Sequence, residues 1–238
     1  MLTAPQFSPD RLAGVLGRID AAARRAGRDP GGVRLLAVSK QQAAERVRAA
    51  AAAGQRDFGE NYLQEALPKV ADLDDLGLTW HYIGQLQSNK TRDVAARFHW
   101  VHTVDRPRIA ERLSAHRPHW AGPLEVLLQV KLDDEPGKGG VAPGEADALA
   151  DVVAGLPRLR LRGLMCIPAP ATGEDAQRRP FRRLHELLAG LAARGHAVDT
   201  LSMGMSDDLE AAILEGATIV RVGTALFGPR VSTATRAM

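Results

Sequence analysis

RLLAVSK, at residues 34–40, is an apolar strand that ends at a lysine and leads into an alanine-rich stretch. In α/β folds the binding and catalytic groups collect where parallel strands end. Lys40 therefore lies where a site is expected, and loss of solvent at such a site lowers the pKa of a lysine amine. An amine of this kind attacks carbonyl carbons. Taken alone, Lys40 fits equally well a surface lysine whose aliphatic stem packs on the fold.

The pattern that starts at this strand repeats along the chain, with apolar stretches followed by turns and by segments of helical spacing. An additional helix with Pro9 at its first position precedes the first strand. We predict strands at residues 35–39, 56–58, 80–83, 100–104, 124–131, 161–166, 200–203 and 218–222. We predict helices at residues 42–53, 62–71, 90–97, 108–116, 145–154, 181–194 and 207–215. Eight parallel strands can close on themselves, so we predict one α/β domain over residues 1–238, a (β/α)8 TIM barrel with an extra N-terminal helix.

Composition and charge describe an ordinary globular protein. The chain has 238 residues with 45% hydrophobic content, which is enough to bury a full core. Its 31 Lys and Arg residues barely exceed its 28 Asp and Glu residues and form no stripe, which argues against a nucleic-acid partner. A single cysteine suits a reducing compartment, and we find neither a signal peptide nor a membrane-spanning run. We expect a soluble, cytoplasmic protein without a membrane partner.

The loops after the seventh and eighth predicted strands have the features of a phosphate site, which is where barrels of this kind commonly bind phosphate. After the seventh strand, Gly204 allows close backbone approach and Ser206 is predicted to cap the following helix. After the eighth strand, Gly223 and Thr224 open another helical turn. Two helix starts can converge on one phosphate, although each residue alone also fits a purely structural turn or cap.

Arg221 interrupts the apolar run of the last predicted strand. A buried guanidinium without a partner is costly, so Arg221 is predicted to point into the barrel toward a functional contact. The eighth strand neighbours the first in a closed barrel, which places Arg221 and the phosphate loops beside Lys40. A phosphorylated aldehyde would match the amine, the cation and the phosphate site together.

Seven short segments, in this order along the chain, resemble the pyridoxal phosphate homeostasis protein family. They are residues 35–40 (LLAVSK), 58–62 (FGENY), 80–84 (WHYIG), 86–90 (LQSNK), 161–165 (LRGLM), 201–207 (LSMGMSD) and 220–225 (VRVGTA). Any one of these segments is a weak signal. Their order and their spread over nearly the whole chain make the resemblance specific.

The resemblance implies a fold-type III barrel, similar to the amino-terminal domain of alanine racemase, that binds pyridoxal 5'-phosphate (PLP). It implies that PLP is held as a reversible Schiff base on the motif lysine. The implied cofactor-binding residues are Lys40 for the aldehyde, Ser206, Gly223 and Thr224 for the phosphate, Arg221 for the pyridine nitrogen, and Asn61 and Met165 for lining the cofactor.

An arginine opposite the pyridine nitrogen keeps that nitrogen unprotonated, which weakens the ring as an electron sink. Racemases of this fold add a tyrosine base from a second domain across a dimer, whereas this chain ends soon after its eighth strand. Its two tyrosines, Tyr62 and Tyr82, do not suggest a second base. We therefore expect a monomeric, non-catalytic PLP carrier that supplies PLP-dependent apo-enzymes. The alternatives are a PLP-dependent amino-acid racemase and a cofactor-free Schiff-base aldolase.

Two positions depart from the family pattern. The family commonly has Thr-Lys-Pro after the motif lysine, so Gln42 removes a second lysine near the cofactor. Gln85 replaces a common proline. If the missing lysine assists transfer or lowers the pKa of the cofactor lysine, PLP exchange differs in this chain.

His81 and His102 lack further ligands at metal-binding spacing, so no metal is expected.

Overall fold

The structure is a computed structural model that describes residues 7–133 and 139–228. Within those residues, eight parallel strands follow one another around a closed barrel. They are β1 (Arg34–Val38), β2 (Asp57–Glu60), β3 (Thr79–Tyr82), β4 (Trp100–Val104), β5 (Leu124–Gln129), β6 (Leu159–Met165), β7 (Thr200–Ser202) and β8 (Ile219–Val222). The predicted (β/α)8 TIM barrel is confirmed.

Helices alternate with the strands and form the outer layer. They are α1 (Pro9–Arg25), α2 (Ala44–Ala52), α3 (Leu63–Asp72), α4 (Thr91–Arg97), α5 (Pro107–His116), α6 (Ala146–Ala154), α7 (Glu174–Ala193), α8 (Leu209–Leu214) and α9 (Thr224–Phe227). The predicted N-terminal helix is α1, and Pro9 occupies its first turn as expected. Because α1 packs against α8 and α9, it lies beside the loops that follow β7 and β8.

Both faces of the barrel strands are covered, which explains why β1 is continuously apolar after Arg34 instead of alternating. Leu35 and Ala37 face outward into the core shared with the helices. Leu36 faces inward and forms a separate apolar cluster with Ile83 and Ile219. The register of β1 therefore determines which residues reach the barrel interior.

Three helix starts differ from the sequence-based prediction by two residues or more: α2 begins at Ala44 instead of residue 42, and the other two are those of α7 and α8. Helix α7 begins at Glu174, so that Pro180 lies inside it and not before its start. Proline removes one amide donor and its ring crowds the carbonyl of the residue four positions earlier, and the packing of this long helix on its neighbours offsets that local cost. Helix α8 begins at Leu209, two residues later than predicted. In the described part of the chain, every helix is too short or too polar to cross a bilayer.

The pairing of β1 with β8 closes the barrel and positions the site. Leu36 lies opposite Arg221, and Ala37 lies opposite Val222. The chain leaves both strands at the same edge, so the segment that contains Lys40 adjoins the loop that begins at Gly223.

Candidate functional site

A cavity of about 470 Å³ opens at the carboxyl ends of the strands. Its walls come from the ends of β1, β2, β3 and β8, from the loops after β6, β7 and β8, and from α1. Six of the residues that the sequence singled out line it: Lys40, Asn61, Ser206, Arg221, Gly223 and Thr224. The fold thus brings an amine, a guanidinium and two phosphate-type loops together in one place.

Met165, the seventh predicted residue, lies outside this lining. It is fully buried at the end of β6, where it packs with Trp100 and Leu127 in a small apolar cluster inside the barrel. Its place in the structure is that of a core residue next to the site.

A buried ionic cluster of Ser39, Glu60 and Lys69 holds the turn that contains Lys40. The ammonium of Lys69 donates to the carbonyl of Ser39 (2.9 Å) and to Glu60 Oε1 (2.7 Å). The hydroxyl of Ser39 donates to the same Glu60 oxygen at 2.7 Å. Burial raises the pKa of the Glu60 carboxyl, which outweighs the lowering by Lys69. Lys40 itself is half-buried, at the transition from this cluster to the cavity.

The two residues after Lys40 are also held by side chains. Gln41 adopts a left-handed conformation with φ of 60°, and its amide donates to the carboxylate of Glu65. Gln42 is buried, and its side-chain oxygen accepts a hydrogen bond from Arg46. Arg46 also donates to the carbonyl of Phe227, at the end of α9. The position that departs from the family pattern is therefore part of a connection between α2 and α9.

The loop after β7 makes a tight turn at the cavity. Gly204 has a φ of +90°, and a Cβ there would lie 2.5 Å from Ala212 Cβ, so only glycine fits. The prediction that Ser206 caps the next helix is wrong, because Asp208 is the residue that precedes α8. The Asp208 carboxylate accepts from the amide of Met205 at 2.6 Å, which adds one turn before the helix starts. Ser206 is still at the cavity wall.

Arg18 of α1 fastens this turn from outside the barrel. Its guanidinium donates to the carbonyl of Ser206 at 2.8 Å and forms an ion pair with Glu210 at 2.7 Å. Because Arg18 also lines the cavity, it adds a second guanidinium there besides that of Arg221. No local pattern signals this residue, since it is one of many surface-type arginines and lies 188 positions from Ser206.

The loop after β8 turns directly into α9, as predicted. Gly223 precedes the helix and Thr224 is its first residue. The first amides of a helix have no acceptor within the helix, so they are available to oxygen atoms that lie just beyond the helix start. Together with the Ser206 turn, this loop offers backbone and hydroxyl donors on one side of the cavity.

Arg221 points into the barrel, as the sequence predicted. Its guanidinium donates to the hydroxyl of Ser202 and to the carbonyl of Cys166, both at 2.9 Å. Burial lowers its pKa from the usual value, but an arginine remains protonated. The guanidinium therefore brings a fixed positive charge to the cavity wall.

Asn61 contributes a polar atom that the protein does not satisfy. Its side-chain oxygen is buried and has no hydrogen-bond partner among the described residues. Gly84 permits the close approach of this segment, since a Cβ at Gly84 would lie 2.1 Å from the backbone carbonyl oxygen of Asn61. A buried amide group without a partner is unfavourable, which is typical of a position that meets a ligand.

The two tyrosines lie next to the cavity and not in its wall. Tyr62 and Tyr82 line a neighbouring groove of about 230 Å³ together with Gln85 and Lys90. Tyr82 is buried, its hydroxyl approaches the carbonyl of Gln85 at 3.4 Å, and burial raises its pKa. A phenol with a raised pKa is a poor base near neutral pH. No cluster of three potential metal ligands occurs within residues 7–133 and 139–228.

Comparisons with known proteins show the family of this chain. Residues 15–231 match the family described as alanine racemase, N-terminal domain. A protein of Pseudomonas aeruginosa named "Pyridoxal phosphate homeostasis protein" is 60% identical over 221 residues, which cover 93% of this chain and 95% of that protein. A protein of the same name from Escherichia coli K12 is 53% identical over 92% of this chain and 95% of that protein.

Solved structures show the same fold. The structure of PipY from Synechococcus elongatus with PLP bound has a TM-score of 0.79 and 40% identity, and covers 90% of this chain and 100% of that one. Alanine racemase from Corynebacterium glutamicum has a TM-score of 0.67 at 19% identity, and covers 97% of this chain and 64% of the racemase. The second likeness shows the fold alone.

Proposed function

Because the chain belongs to the pyridoxal phosphate homeostasis protein family, we propose that it binds PLP in the cavity at the carboxyl ends of its strands. The observation that supports this most directly is the meeting of Lys40, Arg221 and two donor-rich loops in one cavity of about 470 Å³. Cavities of roughly 300–1,000 Å³ are the usual size for small ligands.

The residues present match the chemical groups of PLP one by one. When bound, PLP supplies an aldehyde that forms a reversible Schiff base with an amine, and the amine here is Lys40. Ser206, Gly223 and Thr224 would hold the phosphate with hydroxyl and amide donors. Arg221 would donate to the pyridine nitrogen, and the buried oxygen of Asn61 lacks a partner that a ligand group could supply.

We further propose that the protein holds and releases PLP without turnover of its own. Arg221 would keep the pyridine nitrogen unprotonated and so disfavour carbanion chemistry. The groove position of Tyr62 and Tyr82 leaves the cavity wall without a tyrosine base among the described residues. The receivers would be PLP-dependent apo-enzymes, and the names of the relatives describe homeostasis.

We also propose a single domain that acts as a monomer in the cytoplasm. One closed barrel accounts for the described residues, and the one cysteine of the chain suits a reducing compartment. Sedimentation analysis with and without PLP would test the monomer, which a concentration-dependent dimer would refute.

The binding proposal is tested by loading the purified chain with PLP. We expect a yellow protein that loses its visible absorption on borohydride reduction and yields a reduced PLP adduct on the peptide with Lys40. Lys40→Ala should give no adduct, whereas the matched control Lys90→Ala should give the same adduct as the unaltered chain. Protein that cannot be loaded would refute PLP binding and favour the cofactor-free aldolase.

The proposal of a non-catalytic carrier needs a separate measurement. We expect the loaded protein to exchange the Cα proton of alanine and other amino acids no faster in heavy water than free PLP does. Rapid exchange that is lost in Lys40→Ala would contradict the carrier and support the racemase.

A further inference from the structure

A line of polar side chains crosses the barrel interior from β2 to β8, outside the cavity wall except at its last member. Asp57 Oδ1 lies 3.0 Å from His81 Nε2, and His81 Nδ1 lies 2.9 Å from His102 Nε2. His102 Nδ1 lies 2.9 Å from Ser202 Oγ, which in turn accepts from Arg221 at 2.9 Å. Four consecutive hydrogen bonds thus connect a carboxylate near the amino ends of the strands to the guanidinium in the cavity wall.

The interior members of this line are shielded from water. His81, His102 and Ser202 have no exposed surface, and Arg221 is 5% exposed. The indole of Trp100 stacks on His81, with ring centroids 5.4 Å apart and planes 11° from parallel. Without water to replace a lost partner, each hydrogen bond depends on the next.

Chemistry allows only one arrangement of protons that satisfies all four bonds with neutral imidazoles. A guanidinium only donates, so Ser202 accepts from Arg221. The proton of Ser202 goes to Nδ1 of His102, because the line ends at an ionised carboxylate that needs a proton on Nε2 of His81 and hence on Nε2 of His102. His102 then carries its proton on Nε2 and donates to Nδ1 of His81. His81 in turn carries its proton on Nε2 and donates to Asp57, which as an ionised carboxylate only accepts.

The surroundings of both imidazoles favour the neutral form that this arrangement requires. Burial lowers the pKa of His81 and lowers that of His102 further. The positive charges of Arg221 and Arg34 also lower the pKa of His102, and His99 lowers the pKa of His81. Among the described residues, Asp57 alone opposes the shift, because its contact with His81 raises the pKa of that imidazole.

We propose that Asp57, His81, His102 and Ser202 form a one-directional relay of hydrogen bonds that positions Arg221 for its ligand in the cavity. The four are positioning residues, since they act on the ligand only through Arg221. Within the described residues, the relay supplies one of two hydrogen-bond acceptors of the guanidinium, and the carbonyl of Cys166 is the other. It also ends in a carboxylate, which offers distant compensation for a positive charge in the barrel interior.

The proton arrangement can be tested on the unaltered chain without any ligand, so the result is independent of the proposed function. In nitrogen-15 NMR spectra of histidine-labelled protein at pH 7, we expect His81 and His102 to be neutral, with the proton on Nε2 in both. A proton on Nδ1 of either ring, or a charged imidazolium, would overturn the relay.

The effect on Arg221 can be tested with PLP as the probe, and this part rests on the proposed function. Ser202→Ala should weaken PLP binding about tenfold, the loss expected for one hydrogen bond to a charged group, and should shift the visible absorption of bound PLP. Ser202→Thr keeps the hydroxyl and should restore much of the affinity and the absorption. The matched control is Ser114→Ala in α5, which removes a buried hydroxyl that donates to the Pro157 carbonyl at 2.5 Å.

The outcomes separate the relay from the proposed function. If Ser202→Ala folds and binds PLP like Ser114→Ala, with unchanged absorption, the relay does not position Arg221 although PLP binding stands. If the unaltered chain binds no PLP, the proposed function fails, and the NMR result alone decides whether the relay exists.

Discussion

The backbone around Lys40 is held by hydrogen bonds that its neighbours in the chain make. The carbonyl of Ser39 and the amide of Gln41 are each held by a side chain of α3, Lys69 and Glu65 respectively. The backbone on both sides of Lys40 is therefore tied to α3, and the side chain of Lys40 extends from a turn of fixed shape. Such support is what keeps a reactive side chain in one geometry.

Gln42 shows how a departure from the family pattern is accommodated at the residue scale. Its buried side chain accepts from Arg46, so a lysine here would place two cations together and remove an acceptor. We expect Gln42→Lys to lower the free energy of unfolding by about 2 kcal/mol, the range for a hydrogen bond to a charged group. Urea denaturation measures this. Gln42→Glu retains the acceptor and should unfold like the unaltered chain; a fully stable Gln42→Lys would contradict this account.

At the scale of elements, the cluster of Lys69, Glu60 and Ser39 joins α3 to β1 and β2. Lys69 is 5% exposed and the Glu60 side chain is not exposed at all. Removing one member of a buried ion pair leaves an uncompensated charge. A buried pair of this kind serves to fix the junction of three elements, and its contribution to stability depends on both partners being present.

We expect Lys69→Met to reduce the free energy of unfolding at pH 7 by about 3 kcal/mol, because Glu60 is left buried without its cation. The double variant Lys69→Met/Glu60→Gln should recover much of that loss, since only Glu65, which is partly exposed, then lacks its Lys69 partner. Equilibrium denaturation of the single and double variants tests this, and a single variant as stable as the double one would argue against the pairing.

Helix α1 reaches the cavity through Arg18, which holds the Ser206 carbonyl at 2.8 Å. We expect Arg18→Ala to release PLP about fivefold faster, which corresponds to roughly 1 kcal/mol for one partly exposed charged contact. Arg24→Ala is the matched control, because Arg24 lies in the same helix and pairs with Asp20 on the surface. Stopped-flow transfer of PLP to an acceptor apo-enzyme gives both rates, and equal rates would show that α1 does not restrain the turn.

At the scale of the whole molecule, the buried imidazoles make stability depend on pH. Their pKa values are lowered in the folded barrel, while the unfolded chain titrates them near 6.5. Below about pH 6.5 the unfolded state therefore binds protons that the folded state refuses, and stability is lost as the pH falls toward the folded pKa. Each histidine contributes a slope of about 1.4 kcal/mol per pH unit in that window.

We expect His102→Gln to flatten the decline in unfolding free energy between about pH 6.5 and 5 relative to the unaltered chain. His119→Gln, a change at an exposed position, should leave the decline unaltered. The comparison with variants is necessary because Glu60 has the opposite effect. Its pKa is raised in the folded state, so its protonation increases the free energy of unfolding as the pH falls. Parallel curves for His102→Gln and the unaltered chain would contradict a buried neutral His102.

Much of the barrel was predictable because its signals are local. Apolar runs of strand length, such as the one before Lys40, specify buried parallel strands, and eight of them in series close a barrel. The inward direction of Arg221 was predictable for the same reason, since an arginine within an apolar run must find polar partners inside. The start of α8 was not predictable, because Asp208 and not Ser206 captures the nearby amide.

The amino-acid sequence alone determines the barrel, the strand that leads to Lys40 and the two loops beside the site. Each of these features is encoded by residues that lie within a few positions of one another. The support around these elements arises only when the chain is folded: Arg18 on Ser206, Lys69 on Ser39, and the relay to Arg221. These contacts join residues up to 188 positions apart, among them His102 and Ser202, which are separated by 100. Barrel closure brings such residues together, and no local pattern encodes which of many similar side chains will meet.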